Sequence, residues 1–542
     1  LAFMNHRIDQ SKRNKRPYST YSWLLIGALL AAGLFFRFYN LDKKVYWYDE
    51  TFTSLYISGY MPAEVKQIIG DREIGVDELT RFQRVNPHRG LLSTLTALSA
   101  HDPQLSPLYY GLARLWAGLF GDSIWGIRSL SAFASLLVFP CLYWLCRELF
   151  EMRRVAWVTL VMVAVSPFHV LYAQEARQYS LWTVTILLSS ATLLWALRLK
   201  IKRSWALYAV TVSVGMYTHA LFVLVIIAHG VYVLGKQLAQ TGWKLLPLPR
   251  TLITYLGATL GGLVAFMPWL YIIIAHFDAA SSRMSWSNQK VNPFYLFGMW
   301  GFNFSAIFLD TDHSLKFVDQ YDFSVFLSYS IRVLMLIMAL YSIYFLYSKT
   351  PKRSCLFVLA MILVSFLGLA LPDLLLGGRR SGGGNRYLAP SYLGIQLAVA
   401  YLLSTKMNSG RLARRTIWQA ITAFVIVCGI VSCTISSQAE TWWTKPISYY
   451  NPRVARIINQ AQHPLVVIVA MDDLLSLSHL LDSKVRIWVV TNYDIIRISE
   501  GFSDVFVFKP SPLLRKKFEA NDNFIMKEVG PHGKLWRLAK RH

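Results

Sequence analysis

Long apolar runs broken by short basic turns set the pattern of this chain. Stretches that read as membrane-crossing helices occupy 23–36, 124–145, 155–172, 179–197, 205–217, 221–234, 252–275, 325–347, 356–371, 387–403 and 417–435. That makes about eleven spans, the fifth and sixth being short. Between 40 and 121 no run is long enough to span, yet 108–116 is apolar and aromatic behind Pro107. Its length fits a helix lying in the membrane interface. A crossing there would put the basic turn holding Arg147, Arg153 and Arg154 outside, whereas a flat helix leaves that turn inside, where basic residues collect.

Past 436 the pattern changes. Short β-rich runs at 465–469, 485–490 and 505–508 alternate with helical patterns at 453–460, 473–481 and 513–519, and 534–538 reads as a closing edge strand. The expectation is an α-helical polytopic membrane domain over 1–436, with loops at 40–121 and 276–323, followed by a small α/β domain over 437–542. The α/β segment has no glycine-rich phosphate loop and receives no chemistry.

Composition fits this division. The chain has 542 residues, of which 54% are hydrophobic and 16% charged, with a net charge of +25. The basic residues lie mostly in short clusters between apolar runs, as inner loops of a membrane protein carry them, so nucleic acid is not an expected partner. Arg7, Lys12, Arg13, Lys15 and Arg16 precede the first run, and no small-residue cleavage site follows it. The first helix is therefore expected to stay in place, with the N-terminus cytoplasmic and residues 40–121 and the C-terminal domain extracytoplasmic. The five cysteines all lie in or beside apolar runs, which implies neither a disulfide framework nor a zinc motif.

The unusual polar residues gather on the expected outer side: Asp49-Glu50, His101-Asp102, Gln174-Glu175-Ala176-Arg177, His219, the loop with Arg283 and Lys290, and Arg379-Arg380 through Asn385-Arg386. Carboxylates near hydrocarbon are costly unless paired or functional. A carboxylate can deprotonate a hydroxyl nucleophile, and arginines can hold a departing phosphate. A face without nucleotides needs a donor already carried across, and a sugar on a polyprenyl phosphate meets that need. A base opposite the leaving phosphate would give inversion.

Four short motifs sharpen this expectation. They are Tyr48-Asp49-Glu50 after the first span, Ser106-Pro107-Leu108-Tyr109-Tyr110, the run from Ser166-Pro167-Phe168-His169 through Ala173-Gln174-Glu175-Ala176-Arg177-Gln178-Tyr179-Ser180, and Arg386-Tyr387-Leu388-Ala389-Pro390. In order and spacing they resemble the GT-C glycosyltransferases over residues 20–405, and within these the protein O-mannosyltransferases and the lipid A aminoarabinose transferase. The resemblance implies a polyprenyl- or dolichyl-phosphate sugar donor, catalysis on the outer or luminal face, Asp49 as base and Glu50 as its partner. Arg177, Arg386, Arg379 and Arg380 become candidates for the donor phosphate. His101, Asp102, Tyr109, Glu175, His219 and Lys290 become candidates for the sugar or acceptor site. Many relatives have a histidine two residues before the proline of the second motif, where this chain has Leu105-Ser106-Pro107, so that role does not pass to His101.

Simpler readings stand beside these. Asp49 and Glu50 could only be stabilising a helix N-terminus. Glu175 and Arg177 could pair with other loop charges, and the glycine-rich turn 377–384 could be a plain turn instead of a lid. His219 reads better as a core histidine than as a ligand. No cofactor is required; a divalent metal held by His101, Asp102 and Asp49 stays open. The expected partners are a lipid-linked sugar, an acceptor lipid, glycan or protein, and membrane lipids. The alternative function is a transporter or flippase of a lipid-linked sugar, which would carry its charges near the bilayer midplane in repeated halves.

Overall fold

The computed structural model describes residues 20–242, 248–312, 323–408, 410–492, 498, 501–520 and 524–540. The N-terminal basic cluster Arg7 to Arg16 and part of the 276–323 loop lie outside the described residues.

Each of the eleven apolar runs is helical. Among the described residues, nine helices are long and apolar enough to cross a membrane singly, from Thr20–Phe38 to Leu412–Gln438. The predicted spans at 205–217 and 155–172 account for the difference. The first is the helix Lys202–Thr218, only 17 residues long and opened by two basic residues. The second is two helices, Arg153–Ala164 and Pro167–Ala173, bent by 58°. Pro167 supplies no N–H and so ends the hydrogen-bond ladder of the preceding helix. Carbonyls freed in an apolar layer need other donors. Buried Arg37 provides them, donating to Ala164 O at 2.7 Å and Val163 O at 3.2 Å. Ser166 is also held at the break, donating to Ile307 O at 2.8 Å and accepting from Gln396 at 3.1 Å.

The first loop folds into short helices. Leu108–Phe120 begins behind Pro107 and stops at Gly121, whose φ of 85° suits glycine. At 13 residues it reaches about 20 Å, too short to cross. Tyr48–Ile57 and Leu91–His101 pack beside it, with Asp49 and Glu50 in the first turn of the former.

A six-stranded sheet comprises β1 (Glu73–Gly75), β2 (Pro464–Ile468), β3 (Arg486–Val489), β4 (Asp504–Phe508), β5 (Phe524–Glu528) and β6 (Leu535–Lys540), in the order β1-β3-β2-β4-β6-β5. Parallel β2, β3 and β4 carry buried Leu465, Val467, Trp488 and Val507, onto which the helix Pro512–Glu519 sets Leu514 and Phe518. Two features differ from the sequence reading. The closing strand β6 is interior, because β5 pairs with it and takes the edge. The other edge is β1, from the first loop, antiparallel to β3 with Ile74 opposite Ile487. A three-residue strand carries too little periodicity to show in a sequence, and its partner lies more than four hundred positions away.

The helix Met471–Ser478, from the segment after the last span, seats on the first loop. Ser476 donates to Tyr46 O at 2.7 Å and Gln83 donates to Leu475 O at 3.2 Å. The strand-like stretch before Tyr48 is pinned from below, since Val45 N donates to Glu440 O at 2.7 Å and Tyr48 N donates to Ser448 Oγ at 3.1 Å. The base of the helix bearing Asp49 is thus fixed by residues that follow the last span.

Candidate active site

Consecutive residues on a helix point about 100° apart, so Asp49 and Glu50 face different surroundings. Glu50 turns inward and is fully buried. Its oxygens accept from Arg128 Nε at 2.8 Å, Arg128 Nη2 at 2.7 Å and the Ala176 N–H at 2.8 Å. Lys445 Nζ stands 3.4 Å away and the Trp47 N–H closes the helix start at 3.4 Å. Burial alone would raise the Glu50 carboxyl, but Arg128 and Lys445 outweigh it and hold the group well below the usual carboxylate range. Lys445 also donates to Glu175 at 2.9 Å, and there burial wins, pushing the Glu175 carboxyl up. Both oxygens of Glu50 are occupied in this cluster, which anchors the turn and leaves no open side for a substrate.

Asp49 faces the other way. Arg386 Nη2 donates to its Oδ2 at 2.9 Å, and Arg177 Nη2 lies 4.0 Å from the same oxygen while Arg177 Nη1 donates to the Asp49 carbonyl at 3.2 Å. Arg386 occupies the turn Asn385–Leu388 just ahead of the helix Ala389–Lys406, and its guanidinium sits 5.3 to 5.5 Å from the rings of Trp47, Tyr179 and Tyr387. Arg177 occupies the turn between Pro167–Ala173 and Tyr179–Leu199, 5.8 Å from the Tyr110 ring. Around this carboxylate, buried Arg177 Nε, Arg386 Nε and Trp47 Nε1 have no hydrogen-bond partner. Buried donors left open in this way are costly, and an anionic ligand would satisfy them.

Beneath the arginines, the ring of His219 stacks on Trp182 at 4.2 Å, and its Nδ1 accepts from Leu221 N at 3.1 Å. Burial, with Arg177 and Arg386 close by, brings this imidazole down to about 3, so it is neutral. Tyr109 is buried and shares a hydrogen bond with Ser131 at 2.8 Å, in the packing that supports the first loop.

A second cluster flanks the helix Tyr48–Ile57. His101 stacks on Phe52 at 5.5 Å, with Nδ1 2.6 Å from the Tyr56 hydroxyl and Arg283 at its other nitrogen. Asp102 accepts from Tyr56 and from Gln104 at 2.9 Å. Burial opposes charge on Asp102, but His101 and Tyr56 prevail and hold the carboxyl at about 2. Arg283 also reaches to 3.8 Å from Asp472, which brings the C-terminal helix to this edge of the site.

Arg379 and Arg380 find partners of their own. Arg379 donates to Trp286 O at 3.0 Å, and Arg380 donates to Asp373 at 3.1 Å and to Asn288. The turn 377–384 is thereby closed on 285–290, with the stem of exposed Lys290 against Gly377. Trp286 of this pair of turns lies 6.3 Å from Tyr387, the residue after Arg386. Among the described residues no group of three or more His, Cys, Asp or Glu side chains is placed to hold a metal ion.

Residues 103–272 match the family profile described as dolichyl-phosphate-mannose-protein mannosyltransferase, a segment that holds Glu175 and Arg177 but neither Asp49 nor Arg386. Crystal structures of ArnT from Cupriavidus metallidurans, one bound to undecaprenyl phosphate and one in the apo state, each align over 96% of this chain and 98% of theirs, with a TM-score of 0.53 at 12% identity. The chain has the GT-C fold, and it resembles ArnT and the protein mannosyltransferases. The Archaeoglobus fulgidus oligosaccharyltransferase aligns over 87% of this chain and 64% of its own, with a TM-score of 0.46 at 11% identity. No curated protein matches the sequence.

On this GT-C framework, sequence reasoning picked out Asp49, Arg177 and Arg386, which the structure brings together, but passed over Arg128, Lys445 and Asp472. Arg128 carried a signal, since an arginine near the start of an apolar run needs a partner. Lys445 and Asp472 carried none, because their roles depend on how the C-terminal segment folds back on the first loop.

Proposed function

We propose that the chain is an inverting glycosyltransferase that moves a monosaccharide from a polyprenyl-phosphate donor to an acceptor hydroxyl. The observation that carries this reading is the meeting of one carboxylate with two guanidiniums: Asp49 Oδ2 lies 2.9 Å from Arg386 and 4.0 Å from Arg177. Asp49 takes the proton of the acceptor hydroxyl, while Arg386 and Arg177 hold the phosphate as it gains charge on leaving the anomeric carbon. The open N–H groups of both arginines and of Trp47 support the phosphate assignment. The helical apolar spans and the likeness to ArnT, crystallised with undecaprenyl phosphate, support a donor presented from the bilayer.

Glu50 and Glu175 act beside the site as buried anchors, both joined to Lys445. His101, Asp102 and Asp472 flank the helix that carries Asp49, through Phe52, Tyr56 and Arg283, and are assigned to the acceptor. By the distribution of basic turns, the N-terminus is cytoplasmic and the site and the C-terminal α/β domain, 437–542, are extracytoplasmic. Asp49, Arg177 and Arg386 sit at span ends and in the turns between spans, which favours transfer over transport.

The test is glycosyl transfer or donor hydrolysis by the full chain in liposomes, across a panel of polyprenyl-phosphate sugars. Consumption of one donor with release of polyprenyl phosphate is the expected result. Movement of an intact lipid-linked sugar across the bilayer, with its glycosidic bond preserved, would overturn the reading.

A further inference from the structure

The proposed base and the proposed phosphate ligand are bonded to each other. Arg386 Nη2 donates to Asp49 Oδ2 at 2.9 Å, and both side chains are nearly enclosed, at 14% and 17% exposure. Bulk water therefore screens the pair poorly. The carboxylate oxygen that accepts this bond is occupied and not free to take a hydroxyl proton, and the guanidinium N–H donated to it is not free for a phosphate. One contact holds both functions in check.

We propose that Arg386 exchanges partners during the cycle: the phosphate of an arriving donor takes it from Asp49, so that donor binding arms the base. This rests on the glycosyltransferase reading above. Asp49, Arg177 and Arg386 together carry one net positive charge, which a phosphodiester monoanion cancels. Arg386 can serve either partner, because its Nε is unpartnered and its guanidinium is flanked by the rings of Trp47, Tyr179 and Tyr387, contacts that tolerate a shift of the head group. Arg177 is tied to Asp49 chiefly through the backbone carbonyl, at 3.2 Å, so it stays beside the site when Arg386 moves.

With Arg386 on the phosphate, the freed carboxylate accepts the acceptor's hydroxyl proton, and the hydroxyl oxygen forms its bond to the anomeric carbon. The bond from that carbon to the phosphate oxygen breaks, and its electron pair leaves on the phosphate, which the two arginines hold. While Asp49 carries the proton it does not compete for Arg386. Once the proton passes to water, the carboxylate recaptures the guanidinium and helps expel polyprenyl phosphate. The scheme requires donor to bind before acceptor reacts.

The experiment measures the affinity of the detergent-solubilised full chain for a sugar-free polyprenyl phosphate in wild type, Asp49→Asn, Arg386→Gln and the double variant. Removing a competitor that occupies Arg386 about nine-tenths of the time tightens binding about tenfold. Asp49→Asn is expected to show that gain, and the gain is expected to vanish when Arg386 is already Gln. Unchanged or weaker binding by Asp49→Asn would overturn the exchange. An equal gain in the Arg386→Gln background would also overturn it, since that is simple loss of repulsion between two anions. Binding by none of the four proteins would overturn the donor reading itself, and the exchange with it.

Discussion

Lys445, from the segment that follows the last span, places its ammonium 2.9 Å from Glu175 and 3.4 Å from Glu50, beneath the carboxylate and arginines of the site. Lys44 adds a second buried amino group, donating to Gln174 at 3.0 Å, and burial together with Lys445 and Arg128 brings it down to about 7. Charges so enclosed depend on one another, and the loss of one leaves the rest uncompensated.

Lys445→Met should therefore destabilise the protein by about 3 kcal/mol, the usual scale for breaking a buried ion pair by removing one partner. Thermal unfolding in detergent reads this directly. Lys445→Arg should recover most of the loss. A melting temperature unchanged in Lys445→Met would mean that the cluster does not brace the first loop.

Arg37 bridges the break in the bent span through the carbonyls of Val163 and Ala164. Arg37→Leu removes this donor from the Ala164 carbonyl and leaves Val163 O only the long bond from Ser166 N at 3.4 Å, a loss of about 2 kcal/mol. The expected outcome is a lower melting temperature with the C-terminal sheet still protected from protease. Wild-type stability in this variant would show that the bend at Pro167 needs no such support.

Asp102 sets an acid limit. Its carboxyl is held at about 2 against an ordinary 3.8, so its contribution is complete above the unfolded value and is lost as pH falls through the folded one. The full difference amounts to about 2 kcal/mol. Melting curves stepped from about pH 6 to about pH 3 should fall less steeply for Asp102→Asn than for wild type. Parallel curves would remove Asp102 from the acid response.

These examples show what the sequence made legible. Arg37 and Arg128 were visible as cations in or beside apolar runs, but their acceptors were not, because they come from elements far along the chain. The apolar pattern located the spans, since an uninterrupted apolar run of that length is legible without knowing its partners, and only the bend at Pro167 and the short helix at Lys202 altered their count. Asp49 and Arg386 stood out as charges at span ends, and their meeting required the fold. The adjacent acids Asp49 and Glu50 read as one pair in the sequence, yet helix geometry turns them to different surroundings: one to Arg386, the other to Arg128. The strand β1 was invisible for the reason that Lys445 was, namely that each owes its place to a remote partner.

The most direct test compares single-turnover sugar transfer by wild type and Asp49→Asn with the active polyprenyl-phosphate sugar, alongside donor binding. The expected result is a rate lowered about a thousandfold with donor still bound, the loss of one well-placed general base. Transfer at the wild-type rate by Asp49→Asn would contradict the assignment of Asp49 as the base and the chemistry built on its contact with Arg386.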